Sequence, residues 1–260
     1  VTSVRPDEIY NLGGVTDLKT AYADPALTQR VNGDAVRVLL ETALSCSPAV
    51  RFLQASSSEV FVPSSALLDE TSERNWATSN PYAKAKLFAD RDVVQAAREE
   101  GVFACSAFLF NHESPRRSER SVIRKTCRTL AKIKLGLEQE LVVGNVETLR
   151  DWGFAGDYAD ALWRMLQRGT PEDFVIATGD LHRVQEVIEI AAACLHVPLS
   201  DGLVRVSPEL FRPAETSPKV GDIQKAERLL GWRPTTDFRR LVEMMALADL
   251  ADLQRHADIS

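Results

Sequence analysis

Short apolar runs alternating with long amphipathic segments constrain this 260-residue chain more than any other feature. EIYNL at 8–12, VRFLQAS at 50–56 and VFACSAFLF at 102–110 read as strands, the last buried on both faces. Between the first two, Asp24-Pro25 supplies an N-cap and an N1 proline for a helix running to about Ser45. Its apolar positions Val31, Val36, Leu39, Leu40 and Ala43 recur at helical spacing. A polar loop from about Ser57 to Asn80 leads into a helix over Tyr82–Glu99, closed by Gly101. A basic helix near 121–134, a strand at 140–143 and a helix from about Asp157 to Gln167 follow. The strand FVIAT at 174–178 and helices near 184–195 and 238–252 complete the pattern. Strand–helix–strand repetition demands a parallel sheet with right-handed crossovers, so the expected fold class is α/β. Strand order is not legible from periodicity.

Composition narrows the function classes. Lys and Arg total 31 against 37 Asp and Glu, a net charge of −6 that argues against general nucleic-acid binding. No apolar run approaches the roughly 20 residues of a membrane helix, so no membrane association is expected. The opening VTSVRPDEIY lacks the basic and apolar regions of a secretion signal, and the expected location is cytoplasmic. Cys46, Cys105, Cys127 and Cys194 are widely spaced with no CxxC pair, so neither a metal site nor a disulfide framework is expected.

Tyr82 and Lys86 lie four residues apart at the start of a helix, projecting from one face. An ammonium beside a phenol favours the phenolate, which makes Tyr82 a candidate general acid or base. The same spacing also arises by chance on solvated helix faces. Context favours chemistry: a strand ends in Ser56-Ser57-Ser58-Glu59, and parallel strands deliver their C-terminal ends to a ligand crevice. Residues 116–134 carry Arg116, Arg117, Arg120, Arg124, Lys125, Arg128, Lys132 and Lys134 against Glu119 alone. A solvated face, a grip on a nucleic-acid backbone and capture of a diphosphate are all open readings of that run. The absence of interleaved aromatic residues counts against nucleic acid.

The segment Phe110-Asn111-His112-Glu113-Ser114-Pro115-Arg116-Arg117 resembles the signature of GDP-mannose 4,6-dehydratases, within the extended short-chain dehydrogenase/reductase superfamily. PDEIYNL at 6–12, QASSSE at 54–59, PYAKAKL at 81–87, RDWG at 150–153, EDFVIATG at 172–179, FRPAE at 211–215 and LGWRP at 230–234 are similar too. The resemblance implies a Rossmann-like sheet, 1–110 with 148–182, and a smaller nucleotide-sugar domain, 111–147 with 183–260. It implies dehydration of GDP-mannose with NADP recycled in each turnover, in a homodimer or homotetramer. Tyr82 would take the 4-hydroxyl proton, Lys86 would support Tyr82 and bind the cofactor ribose, and Glu59 would remove the C5 proton. Ser57, where the family usually has Thr, and Ser58 would hydrogen-bond the 4-oxygen. Leu12, His112 and Arg117 match cofactor contacts, the last two in related tetramers partly from a neighbouring subunit. Asn111, Lys125, Arg150 and Arg212 match nucleotide-sugar contacts.

Departures from the family run alongside. The chain contains no GxGxxG or GxxGxxG turn, and its adjacent N-terminal glycines are Gly13-Gly14. The family's Gly-rich dinucleotide segment is therefore expected to be missing, leaving apolar strand edges and helix faces exposed. Asn11-Leu12-Gly13-Gly14-Val15-Thr16 stands where relatives carry Asn-Leu-Ala-Ala-Gln-Ser, and Val62 and Ser118 replace glycines. Two readings follow: a working dehydratase, or a shortened, non-catalytic relative serving as a nucleotide-sugar-binding or assembly module. An epimerase or 4-reductase is a third, disfavoured by Glu59 and the NHESPRR run.

Overall fold

The structure, a computed structural model, describes residues 1–210 and 218–257. Its strands in chain order are β1 (Glu8–Asn11), β2 (Arg51–Ala55), β3 (Ala104–Leu109), β4 (Asn111–Glu113), β5 (Leu141–Val143), β6 (Leu149–Arg150), β7 (Trp152–Phe154), β8 (Phe174–Ile176), β9 (His182–Arg183) and β10 (Val204–Val206). The chain divides into two compact units, Val1–Phe110 with Ala159–Ala177 and Gly221–Arg233, and Asn111–Tyr158 with Thr178–Val220 and Pro234–Ser260. The expected bounds differ at 148–158 and 178–182, which lie in the second unit where β7 pairs with β4, and at 221–233, which lies in the first, where helix Gln224–Leu230 meets β8.

In the first unit, β1, β2, β3 and β8 form a parallel sheet in that order. Glu8 faces Arg51, Phe52 faces Ala104, and Ala107 faces Phe174. All six residues of β3 are buried, as its mostly apolar run, interrupted by Ser106, requires. One apolar cluster joins Val36, Leu40, Phe52, Val93, Val94 and Ala104; another joins Val60, Phe61, Leu68, Leu87, Phe108 and Val175. At one edge, all four β1 residues are half-buried.

The two crossover helices start where the caps predict. Asp24 accepts from the Leu27 amide, and Asn80 accepts from the amides of Tyr82 and Ala83, each ahead of a helix-opening proline. Gly101 closes the second helix at φ +89°, a left-handed turn that glycine adopts without strain. Each crossover also contains a π-helical stretch that periodicity does not reveal. Pro25–Gln29 passes through Arg30–Asp34 into Ala35–Cys46, and Pro81–Phe88 passes through Ala89–Gln95 into Ala96–Glu99. Such stretches concentrate at functional sites.

The second unit packs helices Val122–Lys134, Val184–Cys194 and Phe238–Ala257 around Ile123, Cys127, Leu130, Val187, Leu241 and Met245. Three two-stranded ladders accompany them: β4 with β7 and β5 with β10, both parallel, and β6 with β9, antiparallel. Among the described residues, no helix is long and apolar enough to cross a membrane.

Asp173, just before β8, binds β3 and a helix end. Its carboxylate takes both Arg98 Nη atoms at 2.6 and 2.8 Å and the Ser106 amide at 2.7 Å. Asp173→Ala leaves the half-buried guanidinium without its carboxylate and should cost about 2 kcal/mol in urea unfolding. A loss below about 0.5 kcal/mol would show that this anchor is not structural.

Candidate active site

The C-terminal end of β2 gathers the reactive side chains of the first unit. Ser57 Oγ accepts from the Glu59 amide at 3.2 Å, capping a single 3₁₀ turn over Ser58–Val60. Helix Pro81–Phe88 packs against that turn, so Tyr82 and Lys86 are carried to the segment bearing Ser57, Ser58 and Glu59. Ser57 and Ser58 are buried, while Glu59 and Tyr82 are half-buried.

Lys86 is the deepest charged member, only 3% exposed. Its ammonium donates to the Ala55 carbonyl at 2.7 Å and lies 5.8 Å from the centre of the Tyr82 ring. Burial pushes its pKa down to about 8, while the Asp90 charge opposes that shift. The same Ala55 carbonyl accepts from Gln54 Nε2 at 2.8 Å, and Gln54 Oε1 accepts from Asn11 Nδ2 at 2.7 Å. A polar chain thus runs from the end of β1 to Lys86.

The departure loop at 12–16 lies beside this chain. Asn32, fully buried in the first π-helical stretch, accepts from the Val15 amide at 2.7 Å and donates to the Val15 carbonyl at 2.9 Å. A Cβ on Gly14 would sit 3.0 Å from Asn32 Oδ1 and 3.8 Å from Lys86 Nζ. Glycine there keeps the approach to the ammonium clear. Leu12, at the start of the loop, is exposed.

Asp90 is a member that sequence reasoning missed. It accepts hydrogen bonds from Ser56 Oγ and, at 2.7 Å, from Ser106 Oγ. Burial pushes its pKa up to about 6, against the two hydroxyl bonds and Lys86, which lower it. The available signal was a carboxylate four residues after Lys86, on the helix face that holds Ala89, Val93 and Val94 in the core.

The remaining expected residues belong to the second unit. Asn111 and His112 lie in β4, with the His112 ring 5.1 Å from that of Tyr158. Arg117 stands 3.4 Å from Glu113, a buried carboxyl whose pKa is raised by desolvation. Arg150, in β6, donates to the Leu149 carbonyl at 2.7 Å, and Lys125 is half-buried on helix Val122–Lys134. Arg212 lies outside the described residues. The basic run is largely matched internally: Arg124 meets Asp249 at 2.8 Å, and Arg128 meets Glu119, Asp249 and Asp252. Those two arginines hold helix Phe238–Ala257, which leaves Lys125 without such an acid among the described residues. Among those residues, no group of three His, Cys, Asp or Glu side chains could hold a metal ion.

Together, a phenol, an ammonium, two hydroxyls and a carboxylate at one strand end suit proton transfer to and from a carbinol and its neighbouring carbon. Known proteins resemble the chain over most of its length. The family model described as GDP-mannose 4,6 dehydratase matches residues 1–245. GDP-mannose 4,6 dehydratase 2 of Arabidopsis thaliana is 39% identical over 251 residues, covering 95% of this chain. The chain spans 66% of that relative's length. GDP-mannose 4,6-dehydratase of Vibrio cholerae is 38% identical over 285 residues, covering 98% of this chain and 76% of its own. Among solved structures, RMD from Pseudomonas aeruginosa complexed with NADPH superposes with a TM-score of 0.87 at 27% identity. That match covers 96% of this chain and 83% of the other.

Asp90 holds its proton more tightly in the folded chain than in the unfolded one. Its contribution to stability is therefore complete below about pH 4 and is lost as pH rises through about 6. The difference is on the order of 3 kcal/mol. Asp90→Asn should flatten the unfolding free energy over that interval by a similar amount, measured by denaturant titration at several pH values. Parallel curves for the two proteins would contradict it.

Proposed function

The chain belongs to the GDP-mannose 4,6-dehydratase family, and from that premise we propose that it dehydrates GDP-mannose to GDP-4-keto-6-deoxymannose. The observation that carries the reading is the packing of the Ser58–Val60 turn against the helix bearing Tyr82 and Lys86. Acid, base and hydroxyl groups of the right kinds converge there on one strand end.

The residues present fit NADP, the cofactor of this reaction. Lys86 carries three N–H donors and meets one protein acceptor, the Ala55 carbonyl, so it retains donors for ribose hydroxyls. Gly14 keeps the space beside that ammonium free of a side chain. We assign Lys86 and the 12–16 loop, with Leu12, to cofactor contacts, and His112 and Arg117 likewise. NADP, when bound, supplies the place where the C4 hydride is held and from which it returns to C6.

The chain's own groups handle the protons. Tyr82 Oη takes the proton of the 4-hydroxyl as the C4 ketone forms, and Ser57 or Ser58 hydrogen-bonds the 4-oxygen. The Lys86 ammonium supplies positive charge on the same helix face. The new ketone acidifies the C5 hydrogen, which Glu59 removes. Glu59 then gives that proton to the departing 6-hydroxyl, so water leaves and a C5–C6 double bond remains. The proton held on Tyr82 Oη finally goes to C5 as C6 is reduced, so the atoms balance. Asn111, Lys125, Arg150 and Arg212 are assigned to the nucleotide part, with Lys and Arg suited to its diphosphate.

Incubation with GDP-mannose and NADP should yield a 4-keto-6-deoxy sugar. Absence of product, with GDP-mannose still bound, would leave the chain a nucleotide-sugar-binding relative. Tyr82→Phe should lower turnover by about 10²–10⁴-fold through loss of the first proton transfer. Glu59→Gln should abolish solvent hydrogen exchange at C5, and retained exchange would remove Glu59 from that role. Lys125→Ala should weaken GDP-mannose binding by about tenfold, the size of one lost charged hydrogen bond. An unchanged dissociation constant would exclude Lys125 from the site.

A further inference from the structure

A half-buried carboxylate, hydrogen-bonded at both oxygens, is a costly component for a helix face that otherwise holds buried Ala89, Val93 and Val94. Asp90 persists there with every neighbour arranged around it. From β2, Ser56 Oγ donates to one carboxylate oxygen; from β3, Ser106 Oγ donates to the other at 2.7 Å. From its own helix, Lys86 faces it one turn earlier, and Asp173, before β8, faces it with a like charge. Arg74, from the loop after the 3₁₀ turn, adds a positive charge while its guanidinium sits 4.3 Å from the rings of Phe61 and Phe108.

The pattern of attachment is specific. Two consecutive residues of the chain, Ala55 and Ser56, are tied to two successive turns of one helix. Ala55 O receives Lys86 Nζ, and Ser56 Oγ reaches Asp90. The very next residues are Ser57, Ser58 and Glu59. A two-point clamp of this kind fixes both the rotation and the axial position of the helix relative to the strand end. Tyr82, Lys86 and Asp90 recur every four residues, so the clamp lies on the same helix face as the proton-handling pair.

We propose that Asp90 is a positioning residue of the active site, which locks the Tyr82–Lys86 helix to the Ser57–Glu59 segment and supplies the counter-charge that keeps Lys86 protonated. The proposal rests on Tyr82 and Lys86 being the proton-handling pair, and its charge component is measurable without turnover. An ammonium in a dry site needs an anion to remain charged near neutral pH. Asp90 is the carboxylate whose charge raises the Lys86 pKa.

Asp90→Asn preserves shape and one acceptor while removing the charge, and one serine hydroxyl turns to accept from the new amide. With lysine ¹³Cε labelling, the NMR titration midpoint of Lys86 in the protein alone should fall below that of the wild-type protein. With GDP-mannose and NADP, kcat at pH 7 should fall about tenfold with little change in KM, the signature of misplaced groups rather than lost binding. Protonation of Asp90 weakens its hold on the helix, so the wild-type kcat profile should carry an acid limb that this variant lacks. An unchanged Lys86 midpoint together with an unchanged acid limb overturns the proposal.

Ser106→Ala provides the second test if the first variant fails to fold. Loss of one hydroxyl donor weakens the Asp90 carboxylate, so the acid limb should move to higher pH, and an unmoved limb again overturns the proposal. If the wild-type protein yields no dehydrated product, the Lys86 midpoint still decides the charge component. In that event the reading of the reaction falls separately.

Discussion

The first unit depends on one requirement, that an ammonium withdrawn from water must be surrounded by oxygen. Lys86 meets it with the carbonyl at the end of β2 and the nearby carboxylate of Asp90. Satisfying it draws the second crossover helix onto the strand end and aligns two of its turns with Ala55 and Ser56. Tyr82 and the Ser57–Glu59 segment are positioned as a result. The geometry suited to proton transfer is thus a by-product of solvating a buried charge.

Much of this was legible in the residues, because local rules act locally. Asp24-Pro25 and Asn80-Pro81 start helices through hydrogen bonds within three residues, and Gly101 ends one through its own φ. The β3 run was readable because a strand covered on both faces has no polar alternation to hide it. Tyr82, Lys86 and Glu59 stood out through the strand that ends just before Glu59 and through the resemblance of the surrounding segments to one family. What stayed hidden depends on distant partners. The pairing of β5 with β10 joins residues about sixty positions apart, and β10 is only three residues long, too short for periodicity. Asp90 looked like an ordinary helix acid, since its two hydroxyl partners lie on β2 and β3.

The basic run illustrates how sequence can mislead about charge. Eight cations in 116–134 suggest a single electropositive surface. Arg124 and Arg128 instead turn inward to Asp249, a carboxylate with no exposure at all, and so join two helices of the second unit. Besides Glu119, the acids that neutralise them, Asp249 and Asp252, lie more than a hundred residues later, where no local window detects the match. Helical spacing separates the roles: Arg124 and Arg128 lie four apart on the paired face, while Lys125 is rotated by about 100° from Arg124. Its half-buried position leaves it suited to an external anion.

The π-helical stretches carry a final consequence. A π turn accommodates one residue more than an α turn, so each stretch shifts the angular phase of everything that follows it. In Ala89–Gln95 that shift comes after Tyr82 and Lys86 and is taken up within the turns that carry Ala89, Val93 and Val94 into the core. The turns that bear Tyr82 and Lys86 therefore keep α spacing, while the turns that pack against the core are wider. Loss of a single residue from the π segment could be absorbed by reversion to α geometry, whereas the same loss from Pro81–Phe88 would swing Lys86 about 100° away from the strand end. Length variation in such a chain should accumulate in the wide turns and be absent from the tight one.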